Sequence, residues 1–245
     1  MIITRFTGYS GSRVELVKEN DLVFVRKTGN VSRNLERLTE LKKHGLPVTS
    51  VLKSYNEIIE IEYIHGVDMV NYLQRNRVDK LAEFLVSVIN ILKAQTSTQD
   101  YTQVYRDKFN DINWQDFDFS QQDLLDRLPK LLPKSIYYGD LTLENIIYSQ
   151  DRGFVLIDAA TIEYDSYIFD LAKLNQDLVA KWFLRFKNIN LDYKLQSIGR
   201  ILTDNFGNID PSLIISQLLR VYRHADRDPQ IKLFLKERIG ELWKL

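Results

Sequence analysis

Three oxygen-bearing side chains, Asp140, Asn145 and Asp158, stand among strand-like apolar residues in YYGDLTLENIIYSQDRGFVLIDAA at residues 137–160. Asp140 and Asn145 share a Gly-containing loop, Asn145 opens one apolar run (NIIYS) and Asp158 closes the next (GFVLID). Two such runs predict a hairpin, whose open end brings Asn145 and Asp158 together beside Asp140. An amide oxygen and a carboxylate converging in this way suit a hard divalent cation such as Mg²⁺, which adds water and phosphate oxygens to a few protein ligands. The second carboxylate, Asp140, is then free to accept a hydroxyl proton. A metal on the phosphates and a carboxylate orienting the nucleophile are what phosphoryl transfer needs. Singly, each residue also has a plain structural explanation as a turn residue, a strand-edge amide or a loop carboxylate. Their order within the surrounding pattern favours the chemistry.

A phosphoryl donor has to be held by other elements, and the N-terminal residues supply candidates. MIITRF, RVELVK and DLVFVRK are short, rich in β-branched and aromatic residues, and separated by the turn signals TGYSGS and KEND, which predicts a strand meander. VSRNLERLTELKKHG carries Leu35, Leu38 and Leu41 at helical spacing, with Ser32 as the N-cap and Gly45 as the stop. VTSVLKSY and EIIEIEYI add two strands around a turn at Asn56. Within TGYSGS, the small residues Gly8, Ser10, Gly11 and Ser12 would let backbone N–H groups approach phosphate oxygens. VFVRK supplies Arg26 and Lys27, whose side chains leave opposite faces of the strand, so only one faces the nucleotide. Lys27 is preferred, because Val25 on its face makes a better floor for an adenine than the bulkier Phe24 beside Arg26. Glu36, in the first turns of the helix, is the candidate partner for that cation.

After Gly66 the pattern turns helical. Leu81, Phe84, Leu85, Val88, Ile91 and Leu92 share one face of a helix predicted over residues 78–97. Further helices are predicted near 120–132, 168–186, 191–205, 211–224 and 229–243. The expected architecture is α+β: a nucleotide-binding N-lobe over residues 1–65, with a five-stranded antiparallel sheet and one helix, and a mainly helical C-lobe over 66–245 carrying the catalytic loop and the metal-binding hairpin. HADRD at 224–228 looks like a metal cluster, but without a partner cluster it reads as a polar helix terminus.

Composition narrows the partners. With 245 residues and 44% hydrophobic content the chain can bury a substantial core. Thirty-three basic residues balance thirty-three acidic ones, so no net field draws a nucleic acid or an anionic membrane. The absence of cysteine removes disulfides, thiolate metal sites and a cysteine nucleophile. No leader-like start and no run of about 18 apolar residues occurs, and the expected location is cytoplasmic.

In this order the parts resemble the protein-kinase-like fold, and more closely its aminoglycoside phosphotransferase and choline kinase branch, over nearly the whole chain. YGDLTLENII and FVLIDAA are similar to that branch's catalytic loop and metal-binding strand, which implies Asp140 as catalytic base and Asn145 and Asp158 as Mg²⁺ ligands. IEYIHG resembles its hinge, which implies that the backbone of Glu62 and Ile64 holds the adenine edge of ATP with Ile61 behind. SYIFDLAKL looks like the helix after the site, where Asp170 would brace the catalytic loop. The sequence departs from the pattern at Tyr138, where His is usual, at Ala159 and Ala160 in place of Phe-Gly, and in a phosphate loop with only Gly8 and Gly11. About ten residues separate Asp158 from the next helix, too few for the long segment that docks a peptide, so a small-molecule hydroxyl acceptor is expected. YGDLTLEN followed by DLAKL is similar to phosphotransferases of surface-polysaccharide pathways, which makes a sugar or polyol the first choice. Aminoglycosides, through an acidic rim, and choline, through an aromatic cage, are the competitors, with Tyr164, Tyr167, Asp165 and Trp182 as candidate lining residues. The rival from another class is a catalytically inactive, pseudokinase-like binding module.

Overall fold

The computed structural model describes residues 1–6, 13–29, 31–160 and 162–245. Five strands open the chain: β1 (Ile2–Phe6), β2 (Arg13–Glu19), β3 (Leu22–Thr28), β4 (Val51–Tyr55) and β5 (Ile58–Glu62), with helix α1 (Ser32–Lys43) between β3 and β4. They form one antiparallel sheet in the order β1-β2-β3-β5-β4. Asn20 and Asn56, at the tips of the β2–β3 and β4–β5 turns, take left-handed backbone angles (φ 54° and 51°), which asparagine tolerates.

Register is set by charge as well as by apolar rows. Arg5, Glu15, Arg26 and Glu60 stand opposite one another across four strands, alternating in sign. Arg5 meets Glu15 at 3.0 Å, and Arg26 meets Glu60 at 2.7 Å and Glu19 at 2.9 Å. Opposite charges on facing cross-strand positions stabilise one register over a slipped one. Lys27, one residue along, therefore leaves the other face, in a row with Val14 and Ile59.

Helix α1 starts at Ser32 with Val31 at the N-cap, one residue before the predicted cap, and buries Leu38 and Leu41. It ends in a glycine-dependent turn: Gly45 has φ +81°, its N–H donates to the Lys42 carbonyl at 3.0 Å, and the Leu46 N–H donates to the Leu41 carbonyl at 3.1 Å.

Downstream come β6 (Val67–Asp68), α2 (Met69–Arg75), α3 (Asp79–Leu92), β7 (Gln95–Asp100), α4 (Thr102–Phe109), α5 (Gln121–Arg127) and β8 (Leu131–Ser135). The hairpin β9 (Ile146–Ser149) and β10 (Gly153–Leu156) follows, then α6 (Tyr167–Leu178), α7 (Asp192–Phe206), α8 (Pro211–Tyr222) and α9 (Pro229–Trp243). Three predicted helices are shorter than expected. That over 78–97 stops at Leu92, where the apolar face ends, and the Thr- and Ser-rich stretch after it pairs as β7 with β8. That over 120–132 stops at Arg127, because Pro129 disfavours a helical Leu128, which is extended (ψ 135°). The helix predicted over 168–186 likewise ends at Leu178, and a 3₁₀ turn at Trp182–Leu184 takes up the following residues.

The chain divides into two compact units, Met1–Tyr72 with Glu144–Thr161, and Leu73–Leu143 with Ile162–Leu245. The β9–β10 hairpin thus falls with the N-terminal sheet rather than with the helices, where the sequence had suggested it. It pairs with β6 through β9 and bridges to Val48 through Leu156. In the second unit an aromatic-rich core of Tyr105, Phe109, Tyr164, Phe169 and Leu218 lies among α4, α6 and α8. Helices α8 and α9 each start with Pro after a capping aspartate, Asp210 and Asp228. The last residue of HADRD is therefore a helix cap, and Asp226 within it pairs with Lys232. Among the described residues no helix is long and apolar enough to cross a membrane.

Candidate functional site

In the first unit the hairpin delivers two oxygen donors to its open end. Ile146 pairs with Leu156, and the Ile157 N–H donates to the Asn145 carbonyl at 2.9 Å, so Asn145 and Asp158 leave the ladder side by side. The second strand is anchored on the loop after α1, where the Leu156 N–H donates to the Pro47 carbonyl at 2.8 Å and the Thr49 N–H to the Leu156 carbonyl at 3.2 Å. Asp158 itself is left-handed (φ +62°), a conformation aspartate adopts at a local cost and one that clusters at functional positions. Its carboxylate is 56% exposed and accepts from the Lys27 ammonium. Asn34 on α1 donates to the Ala159 carbonyl at 3.0 Å, fixing the next peptide. The hairpin also needs Gly66: a Cβ there would lie 2.4 Å from the Tyr148 carbonyl oxygen and 2.6 Å from the Ile147 Cγ2.

Of Arg26 and Lys27, the structure brings Lys27 to Asp158 and commits Arg26 to the charge ladder, where the hydrogen bonds it donates to Glu60 and then to Glu19 hold its guanidinium strongly protonated. The expected Lys27–Glu36 pair is not formed: Glu36 is exposed and makes no ion pair among the described residues. The helical twist explains this. Two residues separate Asn34 from Glu36, roughly 200° around the axis, so the turn that aims Asn34 at Ala159 aims Glu36 away. At the expected hinge, Glu62 ends β5, its N–H donates to the Ser50 carbonyl at 3.0 Å, and its carboxylate pairs with Arg152 at 2.7 Å. Partial burial opposes ionisation of that carboxyl, but Arg152 and the Ser50 amide outweigh it and hold it below the usual range. The Glu62 N–H is thus engaged with the Ser50 carbonyl, and Ile64 is buried two residues on. Gly8, Ser10, Gly11 and Ser12 lie outside the described residues.

The second unit holds Asp140. Its loop is braced from below by α6. The buried Asp170 carboxylate accepts the Tyr138 N–H at 2.6 Å and the Gly139 N–H at 2.8 Å. Asp177 accepts the Leu143 N–H at 2.6 Å and the Phe183 N–H at 3.1 Å. Gly139 has φ +91°, which admits the sharp turn into Asp140. Burial pushes the Asp170 carboxyl up to about 7, against the two backbone donors and Arg220, which favour its charged form. Asp170 is not the helix cap, since Ser166 accepts the Ile168 N–H at 3.3 Å instead. Tyr138 is wholly buried, so the residue standing where His is usual packs inside the unit and lines no acceptor surface.

Lys173 is the residue that sequence reasoning missed. Its side chain is 6% exposed and its ammonium lies 3.1 Å from the Asp140 carboxylate, which is 34% exposed. Burial pushes the Lys173 ammonium toward its neutral form, and Asp140 opposes that. A signal existed. Asp170, Lys173 and Asp177 recur at steps of three and four on a largely apolar helix, and charged groups on a buried face imply partners.

With the geometry of the two units given, comparison with known proteins identifies the family. Over residues 3–195 the sequence matches the phosphotransferase enzyme family, and the chain belongs to it. No curated protein matches the chain by sequence. Among solved structures it is similar to a thermostable mutant of aminoglycoside phosphotransferase APH(4)-Ia in its apo form (TM-score 0.66, 11% identity, 98% of this chain and 93% of that one). It is likewise similar to choline kinase LicA from Streptococcus pneumoniae (0.63, 16%, 100% and 94%). A third is an APH(4)-Ia mutant in ternary complex with AMP-PNP and hygromycin B (0.61, 11%, 98% and 92%). At such identities the likeness speaks to the fold, which is α+β and protein-kinase-like, as the sequence indicated. The protein is a phosphotransferase of this family.

Proposed function

We propose that this protein transfers the γ-phosphoryl group of ATP to a hydroxyl of a sugar or polyol, in a surface-polysaccharide pathway, with Mg²⁺ as the metal. The donor set fits that ion: one amide and one carboxylate at the end of a hairpin, the carboxylate exposed enough to take a hydrated cation. Bound there, Mg²⁺ would neutralise the donor phosphates. Lys27 would add a second positive charge to those phosphates, with the Glu62 carbonyl and the Ile64 N–H on the adenine edge. Asp140 would accept the hydrogen bond of the acceptor hydroxyl and take its proton as the oxygen–phosphorus bond forms and the bond to ADP breaks. Most of the acceleration would come from positioning and charge neutralisation.

The observation that carries the reading is the placement of the Lys27 ammonium on the Asp158 carboxylate, which marks the hairpin end as a charged site facing solvent. For the acceptor, three of the four candidate residues for a cationic substrate are already buried or engaged. Tyr164 and Trp182 are buried, and Asp165 is bound by the Tyr101 hydroxyl at 2.8 Å and by Lys134 at 3.0 Å. Beside Asp140 stand cations, Lys173 at 3.1 Å and Arg220 near enough to act on Lys173. These favour a neutral polyhydroxyl acceptor over an aminoglycoside or choline. An ATP-consumption screen across sugars, polyols, amino alcohols and aminoglycosides tests this, and turnover with a cationic acceptor alone would overturn it. Asp140→Asn should lower kcat on the order of 10² or more and leave ATP binding nearly intact. Normal turnover by that variant would remove Asp140 as the base. A thermal-shift titration with ATP and Mg²⁺ separates the enzyme from a binding module without a nucleotide, which would show no shift.

A further inference from the structure

Helix α6 buries nine of its twelve residues, and one of them is a lysine. A buried ammonium is costly unless a counter-charge repays its lost hydration, so the position needs a reason. The groups facing Lys173 are few. Asp140 comes from the loop at 3.1 Å, Arg220 on α8 disfavours its charge, and Asp177 on α6 favours it. Asp170, one turn earlier on the same helix, is already engaged with the backbone of Tyr138 and Gly139.

From this we infer that Lys173 is a positioning residue for Asp140: its ammonium fixes the carboxylate's rotamer and keeps it ionised, so that Asp140 meets the acceptor hydroxyl as a hydrogen-bond acceptor. A protonated Asp140 would offer a donor to the hydroxyl and leave its proton nowhere to go. A carboxylate that is one-third exposed, on a loop, has rotamers to choose from, and the buried end of a helix is a rigid place from which to select one. The loop's backbone is held by Asp170 and Asp177, and the side chain of its central residue is held by Lys173. One helix thus supplies all three contacts at positions 170, 173 and 177. This inference rests on the reading of Asp140 as the base.

The test uses the full chain with Lys173→Met, which keeps the stem's bulk and removes the charge, and Lys173→Arg, which keeps the charge. Lys173→Gln replaces the Met variant if that does not fold. The first readout needs no turnover: carbon-detected NMR titration of the Asp140 carboxyl in the ligand-free protein, assigned with Asp140→Asn. Its midpoint should rise by about one unit or more in Lys173→Met and stay near the wild-type value in Lys173→Arg. An unmoved midpoint in the Met variant overturns the inference. The second readout is ADP release from ATP and Mg²⁺, with water and then a mixture of hexoses and polyols as acceptor. Lys173→Met should lower kcat roughly 10- to 100-fold with the ATP KM little changed. In an Asp140→Asn background the same change should add less than about threefold, because the lysine acts through the residue already removed. An equal factor in both backgrounds overturns the inference while leaving Asp140 as the base. Full turnover by Asp140→Asn overturns the base assignment, with the carboxyl titration still deciding whether Lys173 governs Asp140.

Discussion

Asp170→Asn sets two effects of known sign against each other. The wild-type carboxylate accepts two backbone N–H groups, from Tyr138 at 2.6 Å and Gly139 at 2.8 Å, in a fully buried site. Relative to the carboxylate, asparagine turns one acceptor position into a donor and leaves one buried N–H unsatisfied at a cost of about 1–3 kcal/mol, a shortfall the protonated carboxyl shares through its own O–H. The opposing effect is the charge. Burial raises the carboxyl from 3.8 to about 7. A raised folded-state value means that the native protein holds the proton more tightly than the unfolded chain. The associated stability is therefore present in full below about 4 and lost as pH rises to about 7. Three units at 1.36 kcal/mol each put that loss at roughly 4 kcal/mol, a large part of an ordinary domain's stability. Asparagine has no such dependence. The two proteins should therefore be close in stability near pH 5, where the wild-type carboxyl is protonated, and the variant should be the more stable near pH 8. Urea unfolding of both proteins at those two pH values, compared as the difference in unfolding free energy, measures it. A wild-type protein that gains on the variant as pH rises would refute the reasoning and show that the two backbone donors outweigh desolvation, making Asp170 a carboxylate stabilised in its charged form.

Three further outcomes follow from the geometry. Gly66→Ala places a methyl 2.4 Å from the Tyr148 carbonyl oxygen, and the strain should cost about 1–3 kcal/mol, seen by calorimetry as a Tm lower by several degrees. Asp177→Ala strands the buried N–H groups of Leu143 and Phe183 and should cost about 2–6 kcal/mol in denaturant unfolding, with Asp177→Asn recovering part; a cost below about 1 kcal/mol would mean that neither N–H depends on it. Lys27→Met should leave the Tm nearly unchanged, since its partner is 56% exposed, yet raise the ATP KM about tenfold or more; an unchanged KM would remove Lys27 from the phosphates.

Much of this protein is legible in its sequence, because the signals are local. The strands of the first sheet announce themselves by β-branched residues between turn formers, and the α1 stop by Gly45. The hairpin that joins Asn145 to Asp158 is specified by two apolar runs and the turn between them. What local signals could not supply is which surfaces meet. The sequence left both Arg26 and Lys27 available, and the cross-strand row of Arg5, Glu15, Arg26 and Glu60 engages Arg26 on one face and leaves Lys27 on the other, where it meets Asp158. Glu36 was a candidate on α1 until the helix's rotation, visible only in its packing, turned Asn34 rather than Glu36 toward the end of the hairpin. Asp170, Lys173 and Asp177 were readable as polar residues on a buried helix face, but their partners lie some thirty residues away along the chain, and contacts at that separation depend on how α6 packs under the loop. Residue types and their spacing determined the chemistry available to this protein; tertiary packing determined which charges it sets against one another, because a Coulomb or hydrogen-bond energy depends on distance in space and not along the chain.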